Sequence, residues 1–332
     1  MKSPLTGKPM QIVAEWRTLP FRKEEIRIAY QSYRCEDTGE HFTDTALDEM
    51  NIRMLHQQYR AMHHIPTVEE IQETRAQYGL SAAKMNELLG FGPNTYGKYE
   101  KGEVPSLPNA KLLRLAADPK SFARLVEDWE APSDEAKKKL LSKIEDLIDQ
   151  QTLSQFLDQV IMGSAIADEY TGFRKPRMER LIEMVVYFAH EVPSYKTKMN
   201  KLLFYADFLH FKRFGTSISG ARYRAIPYGP VPHRYETLYE QLAETDIIDN
   251  YYQTTNNGSR RDKLVGREDR KVKESFFNKN EREVLDTVAQ KFKKTPPTKI
   301  VDISHEEAAW LTNQASRSEI SYFYSFELKA LS

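Results

Sequence analysis

The chain has 332 residues, enough for roughly two or three domains. Lys+Arg and Asp+Glu both number 48, so the net charge is zero and a basic footprint for nucleic acid over the whole chain is excluded. No apolar run reaches the ~18 residues of a membrane span, no signal-like apolar segment lies in the first thirty residues, and a lone cysteine, Cys35, excludes an internal disulfide and an all-cysteine zinc site. The default expectation is a soluble, cytoplasmic protein without a cofactor.

Residues 1–45 mix aromatics and Thr with two turns of the same shape, Ser3-Pro4-Leu5-Thr6-Gly7 and Cys35-Glu36-Asp37-Thr38-Gly39. A zinc knuckle is C-x-x-C-G, with two thiolates offered by one tight turn and a glycine after the second. Cysteine at Ser3, Thr6 and Thr38 would complete a four-cysteine ribbon. With one thiol left, the segment reads as a ribbon that has lost its metal, its strands held by Trp16 and Phe21. Two unrelated hairpin turns would leave the same residues.

Residues 46–129 are helical in period. Leu47, Met50, Met54, Leu55 and Met62 mark a linking helix that runs to Pro66. His56, His63 and His64 have no metal-ligand spacing and read as exposed helix-end residues. Pro66-Thr67 opens a helix through Gln77, and Gly79 ends it. Ser81 caps a second over Ala82–Leu89, Gly90-Phe91-Gly92 turns, a third spans Pro93–Lys101, and Ser106 starts a fourth. The expected core is Leu80, Ala83, Leu88, Phe91 and Tyr99, with Leu112, Leu113 and Leu115 inward. Small Ala83 would let the second helix approach the third, as in a helix-turn-helix. The third helix would then enter a major groove. Asn94, Thr95 and Lys98 would face bases and phosphates, and Tyr96 the backbone or a thymine methyl. Residues 66–129 carry eight Lys/Arg against nine Asp/Glu, a weak field that asks for two cooperating copies. The run Gly92-x-x-x-x-Gly97-Lys98-Tyr99 mimics a phosphate loop, but it lacks the hydroxyl for Mg²⁺ and follows a helix.

Residues 130–175 start with the turn Ala-Pro-Ser-Asp and read as an acidic helical linker; residues 130–170 hold nine Asp/Glu against four Lys. Leu140, Ile144, Leu147, Ile148, Phe156, Val160 and Ile161 fit one stripe. The sign then flips: residues 171–234 hold twelve Lys/Arg against four Asp/Glu, net +8. The flip marks a boundary before a domain over 176–332. There, helices are expected over Arg177–His190, Thr197–Phe211 and His233–Leu242. The second would carry a polar face of Lys198, Lys201, Tyr205 and His210, with Asp207 following. Arg222–Ile226 is a short strand into a rigid, proline-rich loop that presents Tyr228. Ile247–Gln253 and Lys263–Gly266 would pair around Asn256-Asn257-Gly258. His305-Glu306-Glu307-Ala308-Ala309 lacks the second histidine of a zincin; Ser304 and Glu307 read as a capping box. A cluster of His190, His210, His233 and His305 near Asp207 is conceivable, but core or surface roles are the commoner fate of such histidines.

Two resemblances add to these readings. Residues 79–118 resemble the Xre/Cro helix-turn-helix, and together with the paired turns, residues 1–129 resemble the MqsA-like antitoxins. That likeness implies a zinc ribbon followed by a dimeric operator-binding part, with Asn94 and Lys98 at base-reading positions. Ser3, Thr6 and Thr38 depart from it at three ligand positions. The string Lys198-Met-Asn-Lys201-Leu-Leu-Phe-Tyr205-Ala-Asp207, the later Tyr-Arg-Ala-Ile-Pro-Tyr-Gly-Pro-Val of residues 223–231 and Ser-His-Glu-Glu-Ala-Ala-Trp of residues 304–310 resemble the Panacea, or SocA-like, domain over about 180–315. Such domains are antitoxin modules that bind toxins directly, and one founding member delivers its toxin to a protease.

The fold expected is α+β and mostly α: a small β ribbon (1–45), a linking helix and helix-turn-helix bundle (46–129), the acidic linker (130–175), and a mainly helical C-terminal domain with a small β element (176–332). The function expected is a non-enzymatic antitoxin, a homodimer on operator DNA. Lys198, Lys201, Tyr205, Asp207 and Tyr228 would meet the toxin or position the loop that does; a cellular protease is a further partner, and a membrane is not. The alternatives are an Xre-type regulator whose C-terminal part senses another partner, and an enzyme in the basic aromatic part.

Overall fold

The computed structural model describes residues 1–131, 133–163, 166–254 and 260–331. It is a mostly helical α+β structure. Strands β1 (Gln11–Phe21) and β2 (Glu24–Arg34) form an antiparallel hairpin, with short β3 (His41–Phe42) beside β2. Helix α1 (Thr45–Met62) is capped by Asp44, which accepts from Leu47 N at 3.0 Å. It packs across the hairpin. Asn51 on α1 both accepts from Gln31 N (2.8 Å) and donates to Gln31 O (2.9 Å), so one side chain satisfies a buried peptide of β2.

Five short helices follow: α2 (Val68–Tyr78), α3 (Ala82–Leu88), α4 (Thr95–Glu100), α5 (Leu107–Ala117) and α6 (Pro119–Glu127). Their ends follow local chemistry. Thr67 and Glu70 form a reciprocal capping box, Gly79 closes α2 in the left-handed region, and Ser81, Ser106 and Asp118 cap their helices. These helices and the first half of α7 (Asp134–Met162) share one core built on Ile71, Tyr78, Met85, Tyr96, Leu113 and Phe122. Two residues depart from the sequence expectation. Ala83 and Leu115 are exposed, and the close-packed positions are Met85 and Ala116. Of the acidic stretch, Leu140, Ile144 and Ile161 are buried, while the Phe156 and Val160 side chains lie outside the described residues.

The remaining elements are α8 (Met178–Glu191), β4 (Ser194–Tyr195), α9 (Lys196–Phe214), β5 (Tyr223–Ile226), β6 (Gly229–Pro232), α10 (Tyr235–Glu244), β7 (Ile248–Thr254), β8 (Arg260–Gly266), α11 (Lys279–Phe292), α12 (Pro297–His305) and α13 (Ala308–Leu311). β5 pairs with β6, and β4, β8 and β7 form a second small sheet. The Asn256-Asn257-Gly258 turn lies outside the described residues. Every residue of α9 from Lys198 to Phe211 is buried, so this helix has no polar face to solvent. The core around it also takes in Ile26, Ile28, Met50, Met54 and Tyr59 of the N-terminal hairpin and α1. The two ends of the chain thus share one core, and the α2–α6 bundle has its own. No helix of the described residues is long and apolar enough to cross a membrane.

A knot of charge joins the two cores. Glu281, at the start of α11, is almost fully buried and lies 2.5 Å from Arg174 and 3.3 Å from Arg180. Both arginines reach on to Glu69 of α2, at 3.1 and 2.7 Å. Arg177 pairs with Glu73, and Lys175 lies 3.9 Å from Glu70. Burial pushes the Glu281 carboxyl up, but the two guanidiniums outweigh it and hold it below its ordinary value. Its contribution is therefore present above the usual glutamate range and lost as pH falls through the lowered value. Glu281→Gln should cost about 3 kcal/mol, because Arg174 and Arg180 lose their buried partner and keep Glu69 as the one acid they share. Urea unfolding at neutral pH measures this, and the difference from wild type should shrink in acid.

Candidate functional site

Helix α9 supplies the polar groups that shape the surface above it. Lys201 Nζ donates to Pro230 O of β6 at 3.0 Å. Gly229, at φ +98°, lies so close that a Cβ there would meet Lys201 Cε and Ser304 Oγ at 2.5 Å. Burial pushes the Lys201 ammonium down to about 7. Asp207 accepts from Ile218 N and Ser219 N (both 2.8 Å), Ser219 Oγ (2.6 Å) and Tyr223 OH (2.8 Å). Burial raises its carboxyl, and these four donors work against the rise. They fix the chain that leads into β5. Tyr205 OH donates to Glu307 (3.2 Å), which also accepts from Lys329 N and Ala330 N. Lys198 Nζ donates to Thr295 O at 2.8 Å, just beyond the end of α11.

These four side chains and His210 are buried, which corrects the expectation of a polar face made by Lys198, Lys201, Tyr205 and His210. The four position the β5–β6 hairpin and its neighbours. Tyr228 is different: it sits at the two-residue tip, 69% exposed. Trp310 Nε1 holds the strand beneath it through Ile226 O at 2.8 Å, and His305 stacks on Trp310 at 3.8 Å. Beside the tip opens a cleft of about 680 Å³ between α9, α10 and α12, edged by Tyr228, Tyr235, Glu236, Glu240 and Asp302.

Other expectations for this part are also revised. Ser304 lies inside α12, with its hydroxyl on Val301 O, and Glu307 sits at the N-cap of α13 without a side-chain capping bond, so they form no capping box. The histidines do not converge. His190 meets Arg270 O, His210 meets Thr216 O, and His305 stacks on Trp310. Among the described residues no three metal-binding side chains gather. Nor is the +8 of residues 171–234 a free basic surface. Arg174, Lys175, Arg177 and Arg180 face acids of α2 and α11, Arg222 pairs with Asp168 and Glu319, and Lys196 with Asp262. The sequence reading missed Glu281 and Arg174; the Asn278-x-x-Glu281 capping box was the available signal.

On α4, Asn94 and Lys98 are exposed and Thr95 is half-buried. Tyr96 is fully buried, with its OH on Ile71 O at 2.7 Å, so it cannot touch DNA. An aromatic ring one place after Thr95 turns inward to fill the core between α2 and α4. Asn94 adopts φ +60°, and Asn86 Oδ1 takes the Tyr96 N–H at 2.8 Å. Of the three helix-end histidines only His64 is exposed; His63 meets Glu24 at 2.9 Å and His56 lies against Phe21.

The two N-terminal turns have the same geometry. Gly7 N donates to Ser3 O (2.9 Å) and Gly39 N to Cys35 O (2.8 Å), and both glycines have φ near +70°. The turns face each other, with Thr6 Oγ1 3.7 Å from Cys35 Sγ. The hydroxyls of Ser3 and Thr38, helped by the Thr38 backbone and Thr6, draw the Cys35 thiol down to about 6. Three hydroxyls and one thiol are a poor donor set for zinc, so the residues present do not fit that ion.

Residues 199–311, about a third of the chain, match the family model of the antitoxin SocA-like, Panacea domain. The match starts inside α9 and ends with α13, so it takes in Lys201, Tyr205, Asp207, Tyr228 and Glu307, while Lys198 and residues 329–330 lie outside it. No curated protein and no solved structure matches the chain.

Two outcomes follow from this geometry. Lys201 is depressed in the folded chain, so the unfolded chain binds its proton more tightly. Stability should therefore rise as pH climbs from about 7 toward the ordinary lysine value of 10.5, and be lost as pH falls through about 7. Lys201→Met should flatten that rise, read as urea midpoints at about pH 7 and pH 9. Second, Ser3→Cys/Thr6→Cys/Thr38→Cys should bind a stoichiometric zinc ion and raise the melting temperature, with the gain removed by a chelator. Elemental analysis and calorimetry check it.

Proposed function

We propose that this chain is the antitoxin of a two-gene toxin–antitoxin pair, and that residues 176–332 neutralise a cognate protein toxin by direct binding. The observation that carries this reading is the match of residues 199–311 to the antitoxin SocA-like, Panacea domain. Side chains on its buried helix hold up one exposed aromatic beside an open cleft. Tyr228 at a pinned hairpin tip is suited to contact, because an anchored aromatic loses little freedom on binding. The cleft edge is acidic, through Glu236, Glu240 and Asp302, so the complementary toxin surface is basic. Lys198, Lys201, Tyr205 and Asp207 act behind this surface as positioning residues.

In the same reading, the N-terminal half resembles an MqsA-like ribbon and helix-turn-helix and represses its own operon. Asn94, Thr95 and Lys98 are the readers, on a homodimer bound to a palindromic operator. The charge knot supports this electrostatically. Glu69, Glu70 and Glu73 of α2 face cations of residues 174–180, which offsets anionic charge that would repel phosphates. Delivery of the toxin to a cellular protease would be a later step on the same contacts.

The test is co-expression with the adjacent reading frame. That frame should be toxic alone and harmless with this chain. Tyr228→Ala should weaken the complex by about 2 kcal/mol or more, roughly thirtyfold, while leaving DNA binding intact. Asn94→Ala should do the reverse, costing about 1–3 kcal/mol on the operator at matched salt and sparing neutralisation. Titration calorimetry and gel-shift assays separate the two. A harmless neighbour, or neutralisation that survives loss of the C-terminal contacts, defeats the reading.

A further inference from the structure

Strand β1 is an open edge. Among the described residues its one strand neighbour is β2. The β1–β2 turn has two residues, Arg22 and Lys23, at φ 50° and 70°, and Phe21 pairs with Glu24 across it. In a two-residue turn of this kind the flanking pair exchanges both peptide hydrogen bonds. Phe21 therefore faces β2, and so do Leu19, Arg17, Glu15 and Val13. Ile12, Ala14, Trp16 and Thr18 point their N–H and C=O groups the other way. Pro20 agrees with this parity: its missing N–H falls on the open side, where an edge strand tolerates proline.

The side chains along this edge are not those of a guarded strand. Ile12 is 54% and Trp16 50% exposed, Ala14 and Thr18 are exposed, and β1 runs for 11 residues. A long, partly apolar edge is a template for another strand. We propose that the partner is a second copy of this chain, and that the two β1 strands pair antiparallel about a two-fold axis at Trp16.

The sequence of β1 is self-complementary in that register. Trp16 lies opposite Trp16, Ala14 opposite Thr18, Val13 opposite Leu19 and Ile12 opposite Pro20. Glu15 lies opposite Arg17, twice, by symmetry. The Trp16 pair exchanges its outward peptide groups, which makes Glu15/Arg17 the close-approach pair where side chains interact most. An axis at residue 15 sets Glu15 against Glu15, and one at residue 17 sets Arg17 against Arg17. Within one chain Arg17 lies 3.4 Å from Glu15 and stacks over Tyr30 of β2 at 4.4 Å, and Glu15 lies 3.6 Å from His41 of β3, so both side chains lean over the sheet and would turn outward to meet a partner. A C₂ interface needs one patch to match itself, and this strand does. The proposal does not depend on the antitoxin reading, although it supplies the two-fold symmetry that a palindromic operator would use.

Sedimentation velocity on the full-length chain tests it. Wild type should dimerise below about 100 µM. Thr18→Pro removes one outward N–H without touching the β2 ladder and should give a monomer with unchanged circular dichroism. Glu15→Arg and Arg17→Glu each set like charges opposite one another and should weaken the dimer about tenfold; the double swap should recover it. If Thr18→Pro fails to fold, the charge-swap series decides. A monomeric wild type, a folded Thr18→Pro protein that still dimerises, or a double swap that recovers nothing overturns the proposal. Strand addition by a different protein on a monomeric chain would do the same.

Discussion

Burial of the Glu281 carboxylate is the constraint on which the arrangement of the two cores depends. A charge so enclosed needs opposite charges at hydrogen-bond distance, and Arg174 and Arg180 provide them. Those arginines have donors left over, which Glu69 accepts. Glu281 also closes the Asn278 capping box, so the same residue starts α11 and anchors α2. The placement of the bundle against the C-terminal elements thus follows from satisfying one acid.

Helix α9 solves a related problem. A helix hydrophobic all round would be ordinary in a core, but this one also buries two lysines, a tyrosine and an aspartate. Most of the partners are irregular pieces of chain, namely residues 218–219, Thr295 and, through Glu307, residues 329–330, while Lys201 takes Pro230 O of strand β6. Such segments have no ladder of their own to satisfy them. Polar groups in the middle of the fold therefore fix its loops, and the hairpin tip is held firmly enough to leave Tyr228 outside.

What the sequence disclosed followed the range of the interactions. Capping chemistry is local, so the ends of α2, α3 and α5 were legible from Thr67, Gly79, Ser81 and Ser106. The helix over Arg177–His190 was legible because an apolar period needs no partner. Lys198, Lys201, Tyr205 and Asp207 were found as a group but placed on the wrong side of the surface. Their partners are carbonyls, amides, hydroxyls and a carboxylate up to about a hundred residues away, which no spacing along α9 reveals. Ala83 and Tyr96 failed for a smaller reason: in helices of seven and six residues, a shift of one place changes which side chain turns inward. The +8 run was counted correctly, yet a local sum of charge cannot show that its counter-ions lie on α2, a hundred residues earlier.

The N-terminal hairpin and α1 belong to the same core as the C-terminal elements; the chain leaves that core near Ile65, touches it again at Val104 and Ala110, and rejoins it near Ile161. The α2–α6 bundle is therefore an insert, tied at both ends. A bundle at a chain terminus hangs on one covalent joint and can wander or be clipped away. This one has two joints into one body and the arginine–glutamate contacts between them. It cannot be shed by a single cut, and Arg22 and Arg60 of the N-terminal elements grip its α4–α5 connection through the carbonyls of Pro105, Gly102 and Glu103.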